Sequence, residues 1–218
     1  MITIIPIGGL CNYLRVVFSY YEYANSINSE LNVIWKKTDA CPGYFLDYFE
    51  PIPNVNFSRS CEKDVKIHYK GYSSRNDNVN YDKLKLKPYL EKIVFDKLNI
   101  LNNNYISVHI RRTDHINGVK KMNCYTDDEK FMDFLDKPEN NKNIYIATDN
   151  EITYNQFKSK YQERIKFDYH KVNNNNIRKT SLEDAIIDIY MCVYSVDFMG
   201  TVFSSFSDLI INLRKSIK

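Results

Sequence analysis

The sequence predicts an α/β protein in which parallel β-sheets alternate with helices in both halves of the chain. Short apolar runs of strand length recur along the 218 residues, and stretches with helical apolar spacing lie between them. Strands that alternate with helices form parallel sheets with helices on both faces. The polar stretch 99–104 interrupts this pattern. We therefore expect two domains, 1–98 and 99–218, each built around its own sheet.

The first half opens with a strand, a glycine turn, a helix and a second strand. Residues 1–7 form an apolar run that ends at the glycine pair 8–9. Over 12–26 the apolar residues return every three or four positions, which indicates a helix. The apolar run 31–35 predicts the second strand. Three further segments are predicted as loop, strand and helix, in that order: 36–64, 65–72 and 88–98.

The second half repeats the alternation of strands and helices. Ser181 and Asp184 have the spacing of a capping box, which indicates where one of these helices begins. The predicted strands are 105–110, 143–148, 165–169 and 196–202. The predicted helices are 127–135, 151–161, 181–194 and 207–215.

Composition excludes several classes of protein. The net charge is +3 and basic residues are scattered among acids, so nucleic-acid binding is not expected. Five cysteines without a CxxC pair indicate neither a zinc site nor a disulfide framework. No apolar stretch reaches about 18 residues and the start lacks a basic signal region, so we expect a cytoplasmic protein without a membrane span. The frequent Asn, Lys, Ile and Tyr are typical of an AT-rich genome, such as that of a protist or a large virus.

The glycine turn is the first candidate site, at Gly8, Gly9 and Asn12. A glycine pair between a strand and a helix lets a ligand approach the backbone closely. The segment is neither a GxGxxG dinucleotide fingerprint nor a P-loop. A plain turn with Asn12 as the helix cap is the alternative interpretation.

The second candidate is the segment VHIRRTD, residues 108–114, at the end of a predicted strand. Alternation along the strand places His109 and Arg111 on one face and Arg112 on the other. A guanidinium offers a rigid fork of donors that matches phosphate. The alternative is that both arginines are solvated or paired with Asp114. The position at a strand end favours an anion site, because ligands of open α/β sheets bind there.

Two later segments carry further candidates. Asp149 follows a strand and can orient a ligand or an arginine, although Thr148 or Asp149 can instead cap the next helix. Asp188 is predicted opposite the apolar stripe of its helix, where a solvated acid is the alternative. Ser204 and Ser205 precede the last helix, and hydroxyls with free backbone N–H groups at a helix start bind phosphate. A simple serine cap is the alternative there.

These segments resemble motifs of the fucosyltransferase superfamily. VHIRRTD resembles the first motif of the α1,6-fucosyltransferases, and IYIATDN (144–150) resembles their YLATDD segment. Residues 181–205 are similar to their helix that precedes a TFSS-like end, and GGLCN (8–12) is similar to the opening of protein O-fucosyltransferases and α1,2-fucosyltransferases. The resemblance implies a GT-B-like fold of two Rossmann-type domains with the donor site in the cleft. It also implies inverting transfer of fucose from GDP-fucose to a glycan or glycoconjugate acceptor, without a metal or other cofactor.

The resemblance also implies residue roles. The implied catalytic residues are Arg111, which would bind the β-phosphate, Asp114, which would fix the arginine and the loop, and a base. The family motif often continues with Lys where this chain has His115, and no acid follows in 116–119. We therefore take His115 as the candidate base, because the imidazole pKa suits proton transfer near neutral pH. The implied donor-binding residues are Gly8, Gly9, Asn12, His109, Arg111, Arg112, Asp149, Asp188, Ser204 and Ser205.

Two other functions stay open from the sequence. A GT-B-like transferase can use another nucleotide sugar, and a relic of such an enzyme can bind glycans without catalysis. A Rossmann oxidoreductase is disfavoured because the glycine fingerprint is missing. The acceptor, the linkage and the oligomeric state are not encoded in any motif we identify.

Overall fold

The computed structural model describes residues 1–60, 64–75, 79–113, 125–169 and 180–217. The chain divides into two compact units, Met1–Glu91 with Asn212–Lys218, and Lys92–Ile211. Each unit contains one parallel sheet. The α/β class with parallel sheets is therefore confirmed, whereas the domain boundary between residues 98 and 99 stays a prediction.

The first unit is built on a four-stranded parallel sheet. Its strands, in chain order, are β1 (Ile2–Pro6), β2 (Leu31–Ile34), β3 (Val55–Ser58) and β4 (Tyr69–Gly71). They lie in the order β3-β2-β1-β4. Because β1 is central, all five of its residues are buried. This burial explains why the run is apolar apart from Thr3, rather than alternating.

Two helices of the first unit follow β1 and β2. Helix α1 (Leu10–Ser26) begins directly after Gly9, and its inner face buries Leu14, Val17 and Phe18 completely. The cap of α1 is Gly9, so Asn12 lies inside the first turn and is not the cap. The second helix is a single turn, α2 (Phe45–Tyr48).

The second unit is built on a three-stranded parallel sheet in the order β6-β5-β7. The strands are β5 (Tyr105–Ile110), β6 (Asn143–Thr148) and β7 (Asp197–Gly200). Two short 3-10 helices lie at Pro138–Asn140 and Gln162–Arg164. The remaining helices in the described ranges are α3 (Pro88–Ile100), α4 (Asp128–Leu135), α5 (Glu151–Tyr161), α6 (Leu182–Tyr194) and α7 (Ser205–Ile217).

The two faces of β5 have different roles. Ile106, Val108 and Ile110 point into an apolar core that also contains side chains of α4 and α5. The alternate residues are polar and hydrogen bonded on the other face, where the Ser107 hydroxyl pairs with that of Ser195 at 2.7 Å. This alternation places His109 on the face that carries the polar, hydrogen-bonded residues, away from the apolar core.

One secondary-structure prediction was wrong. Residues 165–169 form no strand, since Ile165 makes only an isolated parallel bridge with Ile144. The segment 36–64, predicted to be rich in loops, also contains β3, which pairs with β2 at the edge of the first sheet. The prolines just before β3 obscured this strand, because proline in a short run usually indicates a loop.

Along the described ranges, no helix has the length and apolar character needed to cross a membrane.

Candidate active site

The three strands of the second sheet end at a common edge. The register pairs Ile110 with Thr148 and His109 with Gly200. The residues that follow each strand, among them Arg111 and Thr201, therefore start from the same edge. In open α/β sheets, ligands bind outside the carboxyl ends of the strands. The candidate residues of the second unit gather where this rule expects a ligand.

Thr201 fixes the backbone at Arg111. Its hydroxyl accepts a hydrogen bond from the Arg111 N–H at 2.9 Å and donates one to the His109 carbonyl at 2.9 Å. The Thr201 N–H also donates to the His109 carbonyl, at 3.0 Å. The backbone at Arg111 is thereby held by the residue that follows β7, while the Arg111 side chain is only partly buried.

Asp149 holds the loop that leaves β5. One carboxylate oxygen accepts from the Arg112 N–H at 2.8 Å, and the other accepts from the Thr113 hydroxyl at 2.5 Å. Helix α5 is capped instead by Asn150, whose side chain accepts from the Thr153 N–H at 2.9 Å. Because the cap is Asn150, both oxygens of Asp149 are available to the loop.

The two consecutive arginines have different environments. Arg112 is only 4% exposed, and its guanidinium donates to the Thr126 carbonyl at 3.0 Å and pairs with the Asp128 carboxylate. The rings of Tyr125 and Phe131 lie beside it, with centroids 5.1 and 5.7 Å away. These contacts favour a structural role that anchors the start of α4, and the predicted contact of Arg112 with a donor stays a prediction.

His109 is held by residues that the sequence did not single out. Its Nδ1 lies 2.8 Å from the Ser207 hydroxyl, and its ring stacks on Phe206 at a centroid distance of 4.3 Å. Gly200 makes this approach possible, because a Cβ there would lie 2.6 Å from the Cβ and Oγ of Ser207. A glycine inside a strand often marks such a close approach, and that signal was present in the sequence.

The start of α7 has the properties of an anion site. The Ser204 hydroxyl is buried and has no hydrogen-bond partner in the described part of the chain. Leaving a buried hydroxyl unpaired costs roughly 1–3 kcal/mol. Phe203, the preceding residue, has a φ of 55°, which is a strained value for a bulky residue. Backbone N–H groups at a helix start attract anions, so an oxygen-bearing ligand here would also satisfy Ser204.

Asp188 is not the solvated acid of the alternative interpretation. It is partly buried, and it accepts a hydrogen bond from the Tyr145 hydroxyl at 2.7 Å. Burial raises the pKa of Asp188 to about 7, and the charge of Asp184 adds to this, while the Tyr145 bond and Lys97 oppose it. Burial and the same carboxylate raise the pKa of Tyr145 well above its ordinary value.

A pocket opens beside Asp188. The pocket is open to solvent, and the space inside it is about 540 Å³ when the open mouth is included. Aromatic and aliphatic side chains line one part of it, and the polar part includes Lys97, Tyr145, Asp184 and Asp188. Asp188 can therefore meet a planar ligand that enters this pocket.

The glycine turn of the first unit is organised locally. Gly8 has a φ of 97°, a conformation that glycine tolerates and other residues rarely adopt. The Asn12 side-chain oxygen accepts from the Arg15 guanidinium at 2.8 Å, and Arg15 also donates to the Tyr72 carbonyl at 3.1 Å. A donor contact of Gly8, Gly9 or Asn12 stays a prediction.

Two of the predicted catalytic residues, Asp114 and His115, lie outside the described residues, and their roles stay predictions. Within the described ranges, no group of three or more His, Cys, Asp or Glu side chains is arranged to hold a metal ion.

Parallel sheets in both units, with polar groups gathered at the strand ends of the second, are typical of a GT-B-like fold. The family model of the GDP-fucose protein O-fucosyltransferases matches residues 16–217. The chain therefore belongs to this family, as its motifs had indicated.

Solved fucosyltransferase structures share the fold. NodZ α-1,6-fucosyltransferase co-crystallized with GDP matches with a TM-score of 0.60 at 14% identity, over 96% of this chain and 91% of NodZ. NodZ from Bradyrhizobium matches with a TM-score of 0.59 at 13% identity, over 96% and 92%. The POFUT1 apo-form matches with a TM-score of 0.66 at 9% identity, over 99% and 95%. No curated protein sequence matches the chain.

Proposed function

We propose that this protein transfers fucose from GDP-fucose to a glycan or glycoconjugate acceptor, with inversion at the anomeric carbon and without a metal ion. The observation that carries the proposal is the common strand edge of the second sheet, where Arg111, Asp149 and the start of α7 follow three adjacent strands. One NodZ structure was co-crystallized with GDP and another was soaked with GDP-fucose, which favours a donor of the same class here.

The diphosphate is assigned to Arg111 and the start of α7. When the glycosidic bond to GDP breaks, both bonding electrons leave with the β-phosphate oxygen, and negative charge grows on that phosphate. A guanidinium held in advance stabilises this charge without reorganisation. The unpaired Ser204 hydroxyl and the adjacent helix start supply neutral donors for the same phosphate. Ser205 begins the helix beside them and is assigned to the phosphate or the fucose.

The guanine base is assigned to the pocket beside Asp188. Guanine carries N1–H and N2–H donors side by side, which a single carboxylate accepts together. Adenine and uracil do not offer this pair of donors. His109, stacked on Phe206 and bonded to Ser207, is assigned to the nucleoside end of the donor.

In the proposed reaction, the acceptor hydroxyl attacks the anomeric carbon from the face opposite GDP, which inverts the configuration at that carbon. Its proton passes to a base, for which His115 is our candidate. The fucosyl cation that develops needs only a weak nucleophile, so a base with a pKa near neutrality is adequate. Asp149, which binds the loop that follows β5, keeps Arg111 in place during this step.

The test is acceptor-dependent GDP release from GDP-fucose, measured with EDTA across a panel of glycans and glycoproteins. We expect turnover in the wild type and a loss of at least about a hundredfold in Arg111→Ala, equivalent to about 2.7 kcal/mol of transition-state stabilisation. The control is Arg59→Ala, since the Arg59 side chain is 69% exposed in the first unit. NMR of the product then gives the anomeric configuration.

Three results would contradict the proposal. Turnover with a UDP-sugar in place of GDP-fucose would indicate another nucleotide sugar. Glycan binding without any GDP binding would indicate a non-catalytic protein. If EDTA abolished the activity and a divalent cation restored it, the reaction would depend on a metal ion and the metal-independent mechanism would be wrong.

A further inference from the structure

The polar wall of the pocket beside Asp188 contains a basic residue as well as acids. Lys97 of α3 lines this pocket together with Asp188, Asp184 and Asp168. It is the only Lys or Arg among the described lining residues. A ligand that fits here must therefore offer donors to a carboxylate and also an acceptor to an ammonium group.

The position of Lys97 is defined by its packing. Its Nζ lies 4.2 Å from the centroid of the Phe167 ring, which also lines the pocket. Burial lowers the pKa of Lys97, while the charges of Asp188 and Asp184 act in the opposite direction. The ammonium group thus lines the same pocket as these carboxylates, close enough for their charges to act on it, and it is partly removed from water.

Guanine carries this combination of groups on one edge. Its N1–H and N2–H donors lie side by side, and the O6 acceptor is adjacent to N1–H. Once Asp188 binds the two donors, O6 is directed to the neighbouring part of the pocket wall. We propose that Lys97 donates a hydrogen bond to O6 and is a specificity-determining residue for guanine. This inference rests on the proposed use of a GDP-linked donor.

The pairing has a physical consequence for the choice of base. Adenine places an amino group where guanine has O6, so its donor would oppose the ammonium of Lys97, while its N1 acceptor would oppose Asp188. Both contacts would be repulsive or unpaired, and a site that leaves buried polar groups unpaired rejects such a ligand strongly. Lys97 and Asp188 together therefore exclude adenine nucleotides as well as bind guanine.

The test is the affinity of the full chain for GDP, inosine diphosphate and 6-thioguanosine diphosphate by calorimetry. The 6-thio analogue keeps N1–H and N2–H but replaces O6 with a poor acceptor, and inosine lacks only the N2 amine. We expect Lys97→Met to weaken the affinity for GDP and for inosine diphosphate by about tenfold to hundredfold, equivalent to about 1.4 to 2.7 kcal/mol. The 6-thio analogue should already bind weakly to the wild type and change little in Lys97→Met.

Two further variants complete the test. Lys97→Arg keeps a donor and should retain the preference for GDP over its 6-thio analogue. Lys92→Met removes an exposed lysine of the same helix and should leave all three affinities within about twofold of the wild type. Equal weakening of GDP and the 6-thio analogue by Lys97→Met, or unchanged GDP affinity, would overturn the role of Lys97. A wild type that does not bind GDP would instead overturn the proposed function, before any variant is compared.

Discussion

The candidate residues of the two units are held in place by different means. In the first unit, Asn12 is bonded to Arg15 only three residues away, and the turn depends on the conformation of Gly8. In the second unit, hydrogen bonds between distant parts of the chain hold the site, such as Arg112 to Asp149 and His109 to Ser207. The first arrangement is mainly local, with one distant contact from Arg15 to the Tyr72 carbonyl, whereas the second exists only once the sheet has formed.

The largest expected effect concerns the buried Arg112. Asp128→Asn removes the charge partner and leaves a buried guanidinium without a countercharge, although its bond to the Thr126 carbonyl remains, so the free energy of unfolding should fall by about 2–4 kcal/mol. Urea denaturation measures this change. The control is Glu129→Gln, since Glu129 is an exposed acid in the same first turn of α4. This variant also loses a favourable charge at the helix start, and its free energy of unfolding should fall by less than about 1 kcal/mol. Similar losses in both variants would refute the structural role of Arg112.

Two glycine substitutions sharpen the comparison between local and long-range constraints. Gly200→Ala should cost about 1–3 kcal/mol, because the new Cβ meets the Cβ of Ser207, which has no room to give way. Gly8→Ala should cost a similar amount mainly because of its positive φ, since the one atom closer than 3.0 Å to the new Cβ is the end of the Asn12 side chain, at 2.9 Å.

Asparagine at the same two positions separates the reasons. Because asparagine tolerates positive φ better than alanine, Gly8→Asn should be less destabilising than Gly8→Ala. Gly200→Asn should be at least as harmful as Gly200→Ala, since a larger side chain adds to the collision. Thermal unfolding of the four variants gives the ranking, and the same order at both positions would contradict this account.

An effect of opposite sign is expected at Asp188. Its folded-state pKa is about 7, above the ordinary carboxyl value of 3.8. The folded state therefore binds this proton more tightly than the unfolded state, and the contribution of Asp188 to stability decreases as pH rises from about 4 to 7. At pH 8 the free energy of unfolding of Asp188→Asn should be about 1–3 kcal/mol higher than that of the wild type. This gain in stability should become smaller toward pH 5.

The same variant should lose GDP binding. Asparagine presents only one acceptor oxygen, so one guanine donor is left unpaired. Wild-type affinity for GDP should also weaken as the pH falls below about 7, because the protonated acid accepts poorly. A variant that is less stable than the wild type at pH 8, or that binds GDP equally well, would show that Asp188 has another role.

The sequence could not decide the environments of two candidate residues. Asp188 was expected opposite the apolar stripe of α6, with a solvated acid as the alternative, but α6 is buried around most of its circumference, including Ile187 and Met191. Arg112 is next to Arg111 in sequence and has the same chemistry. Only the packing of α4 distinguishes them, and that packing is a contact between distant residues.

The sequence by itself determined the α/β class, the positions of the helices and most strands, and the motifs that identify the family. These features depend on apolar periodicity and on short segments, which are local properties of the chain. The tertiary structure decided which side chains of those motifs are buried, which hydroxyl is left unpaired, and that Lys97 and Asp188 face one pocket. These outcomes depend on contacts between residues far apart in sequence, and local patterns carry no information about such contacts.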